Sequence, residues 1–404
     1  MMGNINTKKL ITILGIVFII SGLISGVVFF MQYGLSGFNP EVLASYEKNV
    51  DVEKTADLQG INTIRVETAS TDVTLISSDS NEVKAHFHGG YSSSSKSFKP
   101  ELVVTKDGDK LFIKIEDSTN GMVFSFSSNL KLDVYIPSQY SESFAVKTAS
   151  GEVSTGEFSV KMLSIETSSG DINTDAMNAD KALFDTSSGK VSFKGRFTEL
   201  NVKSTSGDII SDTVDAETSK FESNSGTISV SGDLVNLGVK TTSGDIKAET
   251  ASADKAQINT NSGRVSFNGK FAELDIKSTS GDIVSDTVEA ETTKFESSSG
   301  AIKVSGNLAN IDVKTTSGDI SLSSSEKPQI IQITTSSGET KLKLPDSAGF
   351  ILECQSSSGA VYSDFPVTVT KTGKDNEHKL NGTVGDGSGS VTISSSSGDI
   401  SIKK

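Results

Sequence analysis

The sequence predicts an all-β fold, namely a right-handed parallel β-solenoid of about 18–19 residues per coil with one N-terminal transmembrane helix. Two observations predict the solenoid: a Ser-Gly pair recurs, at intervals of 18 or 19 residues over its first ten copies, and apolar residues recur at constant offsets from it. A third observation, an uncharged apolar stretch near the N-terminus, predicts the helix. Connections between parallel strands are right-handed in the great majority of cases, which sets the expected hand.

The repeat aligns on the glycine of the Ser-Gly pair. Two residues after this glycine the chain is almost always Val or Ile, five residues before it is apolar, and three residues before it is Ser or Thr. Positions −7, −5 and −3 share a parity and so point to one face of a strand. Each coil is therefore predicted to be two short strands bent at Ser-Gly, where glycine permits a positive φ or a close backbone approach. The glycines are Gly151, Gly170, Gly189, Gly207, Gly226, Gly244, Gly263, Gly281, Gly300, Gly318, Gly338, Gly359 and Gly398.

The residue after the glycine alternates between neighbouring coils. Every second coil has an aspartate, and these aspartates are Asp171, Asp208, Asp245, Asp282 and Asp319. The coils between them have Lys190, Thr227, Arg264 and Ala301. Alternation separates carboxylates that would otherwise lie about 5 Å apart with like charge. We interpret these aspartates as parts of solvated turns that fix the register of the coils. The alternative is a ladder of calcium ligands, although the Gly-Gly-x-Gly-x-Asp repeat of such coils is absent.

The core positions also alternate in size, because Phe193 and Phe267 occupy a site that is Ser211, Ala248 or Ser285 in neighbouring coils. At a longer scale, Lys190–Glu249 and Arg264–Ser323 are near copies offset by 74 residues. A block of four coils has therefore been duplicated. Such copying favours a longer solenoid over a single unique cleft.

Residues 10–31 contain no charged side chain and, as a helix of about 33 Å, would span a bilayer core. Lys8 and Lys9 precede this stretch, so we expect residues 1–9 in the cytoplasm and the rest of the chain outside it. A cleavable signal peptide is the alternative, although its apolar core is usually shorter. Gly22 and Gly26 are spaced for packing against a second helix.

The remaining chain is expected to divide into three parts. Residues 32–60 form a linker, residues 61–145 an N-terminal β cap with the first coils, and residues 146–404 the Ser-Gly-Asp-Ile solenoid. Strands before Gly151 are expected to form hairpins, one of them around Gly108. An excursion at 364–388 is expected to leave the last coil and cover the terminal edge. Lys403 and Lys404 are expected on a final strand, where they would discourage end-to-end pairing.

Composition excludes some functions. The formal net charge of −14 argues against nucleic acid as a partner.

His86 and His88 share one strand face and could begin a metal site, but no third ligand is near in sequence and His378 is remote, so surface histidines are favoured. Cys354 falls at a core position and is interpreted as a buried apolar residue. We assign no catalytic, cofactor-binding or metal residue, and no cofactor, from the sequence.

The Ser-Gly-Asp-Ile repeat, the opening Val66-x-Thr68-x-Ser70-x-Asp72-Val73 and the strand ending Ile136-Pro137 together resemble one bacterial family. It is the putative-adhesin, β-strand-repeat domain family of unknown function, which includes the LiaG-like membrane-anchored proteins of envelope-stress operons. The resemblance covers about residues 61–404. It implies an extracytoplasmic β-helix-like domain with a role at the cell envelope or in adhesion, and it supplies no catalytic residues.

Three functions follow as hypotheses. The first is a non-enzymatic, membrane-anchored adhesin-like or envelope interaction protein, whose partner would be an envelope glycan or a membrane protein. The second is a polysaccharide-cleaving β-helix enzyme, which would need paired carboxylates and has few arginines, Arg65, Arg196 and Arg264, to assist them. The third is an accessory subunit of a membrane signalling system, coupled through its anchor helix.

Overall fold

The computed structural model describes residues 46–93, 98–117, 125–369 and 378–404, without the side chains of residues 117, 125–128 and 250. Within these ranges all regular structure is β-strand, and none of it is a helix long and apolar enough to cross a membrane. The predicted anchor at 10–31 and the cytoplasmic residues 1–9 lie outside the described residues, as do the first part of the linker and residues 370–377 of the excursion.

The strands are as follows, in chain order. The first nine are β1 (Tyr46–Asp57), β2 (Thr63–Glu67), β3 (Asp72–Ser78), β4 (Glu82–Ser93), β5 (Pro100–Asp107), β6 (Lys110–Asp117), β7 (Ser125–Pro137), β8 (Ser143–Lys147) and β9 (Val153–Thr155). The repeat region holds β10 (Phe158–Thr167), β11 (Ile172–Thr186), β12 (Val191–Ser204), β13 (Ile209–Ser223), β14 (Ile228–Thr241), β15 (Ile246–Thr260), β16 (Val265–Ser278), β17 (Ile283–Ser297) and β18 (Ile302–Thr315). The last eight are β19 (Ile320–Ser324), β20 (Ile330–Thr335), β21 (Thr340–Lys343), β22 (Phe350–Ser356), β23 (Val361–Ser363), β24 (Lys379–Val384), β25 (Gly389–Ser395) and β26 (Ile400–Lys403).

The chain divides into two compact units. The larger comprises Val50–Gly89, Pro100–Glu116 and Leu130–Lys404, and it contains the solenoid. The smaller includes Gly90–Lys99, where the hydroxyl of Tyr91 donates a hydrogen bond to the carbonyl of Phe98 at 3.1 Å. All sites discussed below lie within the larger unit.

The repeats stack as parallel coils with their corners in register, as the sequence predicts. Strand β13 pairs with β12 so that Ile209 lies beside Val191 and Phe221 beside Val202, which are equivalent positions of successive repeats. The same offset relates the strands from β10 to β18. Each long strand from β11 to β18 makes a second bend, seen as a register shift such as that between Phe193 and Gly195. The chain is therefore a parallel β-solenoid whose coils bend at two aligned corners.

The apolar repeat positions fill the interior. Phe221 and Ile246 are fully buried, as are the Val and Ile residues two positions after the corner glycines of the long coils. The predicted alternation of large and small core residues is also confirmed, because Phe193 lies beside Ser211 and Phe267 beside Ala248 on adjacent coils. A phenyl ring in one coil thus fills space that the small residue of the next coil leaves open.

The corner glycines are required by close backbone approach. A Cβ built on Gly244 would overlap the carbonyl oxygen of Gly226 in the coil beneath, and the same clash recurs at the stacked corners from Gly151 to Gly318. These corner glycines do not have the positive φ that only glycine adopts readily. The sequence allows two reasons for glycine at this corner, a positive φ or a close backbone approach. The structure shows that close approach is the reason, because any side chain would push neighbouring coils apart.

The Ser or Thr three residues before the glycine completes the corner. The hydroxyl of Thr241 accepts a hydrogen bond from the buried N–H of Gly244 at 3.0 Å, and Thr167, Thr260 and Ser395 do the same for their own glycines. Because a buried N–H without a partner is costly, a hydroxyl at this position stabilises the corner in most coils, although the hydroxyls of Ser204 and Ser297 have no hydrogen-bond partner among the described residues.

At the N-terminal end the coils do not stack in sequence order. Strand β2 pairs in parallel with β6 on one side and β8 on the other, and β3 pairs with β7 and β9. The prediction of hairpins rather than coils is therefore wrong for β6 and β7, which form a further coil, whereas a two-residue turn at Gly108 joins β5 to β6 as predicted. Their alternating residues, among them Leu111, Ile113, Leu132 and Val134, are buried as in the regular coils.

The C-terminal end has the same arrangement. Strands β25 and β26, the last in sequence, lie between the coil of β20 and β21 and the coil of β22 and β23. The expectation that Lys403 protects a terminal strand is wrong, since Lys403 lies beside Lys343 within the stack. Strand β24, part of the predicted excursion, pairs antiparallel with β22 and covers the outer side of that strand, as the sequence suggests.

Replacing Gly244 by alanine tests the role of close approach. We expect Gly244→Ala to lower the free energy of unfolding by about 3 kcal/mol, since overpacking of a backbone contact forces the coils apart. Gly238→Ala is the control, because a Cβ there would meet only the carbonyl of Ser219, at an ordinary 3.7 Å. Urea denaturation of both variants measures the difference, and equal losses would contradict this role for the corner.

A second pair of variants tests the corner hydroxyl. Thr241→Val leaves the N–H of Gly244 without a partner and should cost about 1–3 kcal/mol. Thr340→Val is the matched control, since the Thr340 hydroxyl is buried without a hydrogen-bond partner among the described residues, at a position where other coils have Val or Ile. We expect that variant to be as stable as the native chain or more stable. Denaturation midpoints that fall equally for both would refute the assignment.

Candidate functional site

The alternating aspartates hold the register of the coils. Asp171 accepts a hydrogen bond through Oδ1 from the backbone N–H of Lys190 in the next coil at 2.8 Å, and Asp245 accepts one from Arg264 at 2.9 Å. Asp208, Asp282 and Asp319 make the equivalent bond. An aspartate in one coil thus serves the following coil, and successive carboxylates lie two coils, roughly 9.6 Å, apart. This spacing is too wide for two of them to share a calcium ion with Ca–O bonds of about 2.4 Å.

The second corner generates a concave surface that the sequence does not reveal. Gly195, Gly232, Gly269 and Gly306 occupy this corner with φ between 132° and 157°. After this bend each coil has three residues of which the first and third side chains face solvent and the second faces the core, as Asp215, Ala216 and Glu217 do. The inward members are Val160, Ala179, Phe197, Ala216, Leu234, Ala253, Phe271 and Ala290, each 4–8% exposed. Two concavities of about 690 and 680 Å³ lie over this column and adjoin at Asp233. We call this surface the lateral groove.

Carboxylates dominate the rims of the lateral groove. The acidic lining residues are Asp180, Asp215, Glu217, Asp233, Asp254, Glu289, Glu291 and Glu326, and the basic ones are Lys161, Arg196 and Lys270. Arg196 pairs with Asp215 at 3.0 Å, and Lys270 pairs with Glu289 at 2.9 Å. Glu217, Asp254 and Glu291 are exposed, and within the described part of the chain no ion pair neutralises them. The groove therefore combines an apolar floor with a negative rim.

The two histidines that the sequence places on one strand face lie beside an aspartate from a distant strand. His86 and His88 lie on the outer face of β4, and Asp133 of β7 lies 3.0 Å from His88, between Oδ2 and Nε2. Asp133 is 45 residues from His88 in sequence, so no local spacing could have indicated it. His378 is apart from this cluster, with its Nδ1 2.8 Å from the carbonyl oxygen of Gly359.

The single cysteine is a core residue, as predicted. Cys354 is 1% exposed on β22, and burial raises the pKa of its thiol to about 12. The thiol therefore stays protonated at neutral pH, and a protonated thiol is a poor nucleophile.

Comparison with known proteins identifies the fold family. The family model described as Toastrack DUF4097 matches residues 61–269 and 231–403. No curated protein matches the chain.

Among solved structures, the chain is similar to a putative adhesin from Parabacteroides merdae, with 15% identity over 69% of this chain and 95% of that one and a TM-score of 0.35. It is also similar to a putative cell adhesion protein from Clostridium sporogenes, with 13% identity, 88% and 99% coverage and a TM-score of 0.20. A putative lipid binding protein from Parabacteroides distasonis gives 17% identity, 69% and 96% coverage and a TM-score of 0.33.

These TM-scores are too low for any of the three structures to assign a role to this chain. The family match is of a different kind, because its two segments together cover almost all of the solenoid. It confirms the family resemblance that the repeat, the opening Val66–Val73 segment and the strand ending Ile136-Pro137 suggest. The chain belongs to the Toastrack DUF4097 family.

Proposed function

We propose that this protein is a membrane-anchored, extracytoplasmic and non-enzymatic adhesin-like protein that binds an extended basic segment of another protein along the lateral groove. The observation that carries the proposal is the groove itself, which crosses many successive coils and has an apolar floor between acidic rims. A repeated surface of this kind suits a ligand that is itself extended.

Charge complementarity supports a basic partner. Glu217, Asp254 and Glu291 occupy the same place in alternate coils, so an extended chain with lysine or arginine side chains would meet carboxylates along its length. Complementary charge accelerates association and selects partners, and the apolar floor adds contact area. Val235, which is 43% exposed at the centre of the groove, is part of this apolar surface.

The groove favours a polypeptide over a glycan. Sugar rings bind well where aromatic faces are open for stacking, but the aromatic residues of the groove floor, Phe197 and Phe271, are only 5% and 4% exposed. The polysaccharide-cleaving alternative would use the corner aspartates, and each of these already accepts a backbone hydrogen bond that holds two coils in register. Such carboxylates are poorly placed to act as a paired acid and base.

The sequence supports the proposed location, in which a single membrane helix anchors a solenoid that lies outside the cytoplasm. Residues 10–31 are long and apolar enough for one membrane crossing, and the preceding lysines favour a cytoplasmic N-terminus. The right-handed winding expected for parallel coils belongs to the same proposal. The acidic exterior would keep the coils soluble outside the membrane.

Binding of a basic probe tests the groove. We expect the full chain to bind dodecalysine and to lose affinity as salt rises, because the attraction is between exposed charges. The combined variant Glu217→Gln, Asp254→Asn and Glu291→Gln should bind roughly tenfold more weakly, since three exposed ion pairs each contribute about 0.5 kcal/mol. Fluorescence anisotropy with labelled peptide measures both effects.

A matched control lies five residues earlier in the same three coils. Asp212→Asn, Glu249→Gln and Asp286→Asn remove the same charge from exposed positions at the second corner, outside the groove lining. We expect this control to retain native affinity at moderate salt. Equal weakening by both triple variants would show nonspecific attraction to an acidic protein and overturn the groove assignment. Preferential binding of a chitosan oligomer or a neutral glycan would favour the glycan partner instead.

The anchor has its own test. We expect the full chain to remain in the membrane fraction after an alkaline wash and to be digested by protease added outside the cell. Intact-mass measurement should show that residues 1–31 are retained, whereas a signal peptide would be missing. A chain that is recovered only in the cytoplasm would contradict the proposed location.

A further inference from the structure

We propose that His86, His88 and Asp133 form a binding site for a divalent transition-metal ion of the Zn²⁺ class. The three residues each offer one donor atom, and these atoms all lie within 4.8 Å of one another. The site is independent of the lateral groove, and nothing in the proposed adhesion function requires it.

The strand pattern of β4 and β7 places the three side chains together. Val83, Ala85 and Phe87 point into the core, so the intervening His86 and His88 must point outward. On β7 the same alternation buries Leu132 and Val134 and turns Asp133 outward. Because β4 pairs with β7, the outward residues of both strands share one surface.

The distances suit a metal after a small adjustment. The two imidazole rings are stacked with centroids 4.4 Å apart and planes 26° from parallel, so a nitrogen of each ring lies within 4.8 Å of the other and of the Asp133 carboxylate. Donor atoms bonded to one ion at about 2.1 Å lie roughly 3–3.5 Å from each other. The 3.0 Å separation between His88 Nε2 and Asp133 Oδ2 already falls in this range. Small side-chain rotations would bring the third donor, a ring nitrogen of His86, to bonding distance from the same ion, without movement of the strands.

A neighbouring strand supplies outer carboxylates. Asp51 of β1 places Oδ1 2.7 Å from Nε2 of His86, and Glu53 places Oε1 4.0 Å from Nδ1 of the same ring. Metal-binding histidines commonly have a carboxylate on the second ring nitrogen, which fixes the ring and raises its basicity. Lys84, two residues before His86 on β4, is held by Glu53 at 3.2 Å and lies over the ring of Tyr135.

The donor set selects the kind of ion. Two imidazoles and one carboxylate favour Zn²⁺, Cu²⁺ and Ni²⁺ over Ca²⁺ and Mg²⁺, which prefer oxygen ligands. The side chains of His86, His88 and Asp133 are 24%, 32% and 21% exposed, so an ion could enter from solvent and complete its coordination with water. A bound ion would link β4 to β7, and through the histidine–carboxylate pair to β1, at the N-terminal end of the solenoid.

Titration of the chelator-treated full chain with Zn²⁺ tests this site. Calorimetry should show one Zn²⁺ per chain and a higher melting temperature in its presence, because the ion binds the folded state. His88→Ala and Asp133→Asn should each weaken Zn²⁺ binding at least tenfold and abolish the thermal shift. His378→Ala is the control and should bind as the native chain does. X-ray absorption of the Zn²⁺-loaded protein should show two imidazole ligands.

Three results would overturn the site: no Zn²⁺ binding by the native chain at millimolar concentration, native-like binding by the His86→Ala/His88→Ala variant, or a coordination shell without imidazole. Circular dichroism establishes that each variant is folded. If an alanine variant fails to fold, Asp133→Asn and the absorption spectrum of the native chain still decide the question.

Discussion

The contact on which the solenoid depends is the approach of one glycine corner to the next. The carbonyl of each corner occupies the space where a side chain on the following corner would begin, so only glycine permits the coils to reach hydrogen-bonding distance. Two adjacent features make this approach tolerable. In most coils the hydroxyl three residues earlier accepts a hydrogen bond from the glycine N–H, and every second coil has an aspartate that accepts one from a backbone N–H of the next coil. At Gly170, Gly244 and Gly318 the motif Ser/Thr-x-Ser-Gly-Asp is therefore one hydrogen-bonded unit.

The physical repeat of this protein is two coils. Asp245 serves the coil after its own, Phe267 fills the space above Ala248, and Phe271 alternates with Ala253 along the groove floor. In the core and on the groove floor a large residue in one coil alternates with a small one in the next, and at the corner an aspartate alternates with Lys, Thr, Arg or Ala. A common spacing of roughly 9.6 Å follows, since it is twice the distance between paired strands. The groove inherits this spacing, so its binding chemistry is periodic as well.

At both ends of the stack the coils are arranged out of sequence order. The first coil in sequence, β2 with β3, and the last, β25 with β26, each lie between two other coils. An end coil in sequence order would present an unpaired strand edge, which invites association with another chain. Here the β2–β3 coil and the β25–β26 coil are each held between neighbours, and β24 runs antiparallel over β22. The histidine cluster lies near the N-terminal end of this arrangement, where β4 adjoins β7.

The sequence alone determined the parallel coils, their corner residues, the buried face and the alternation of core size, because each of these depends on residues at fixed local spacing. It also indicated Cys354 as a core residue and His86 and His88 as one strand face. Only the tertiary structure decided that the coils at both ends stack out of order, that Asp133 adjoins His88, and that the second corner opens a groove. These three features depend on which strands pair across tens of residues, and pairing partners are selected by edge contacts that leave no periodic trace in the chain.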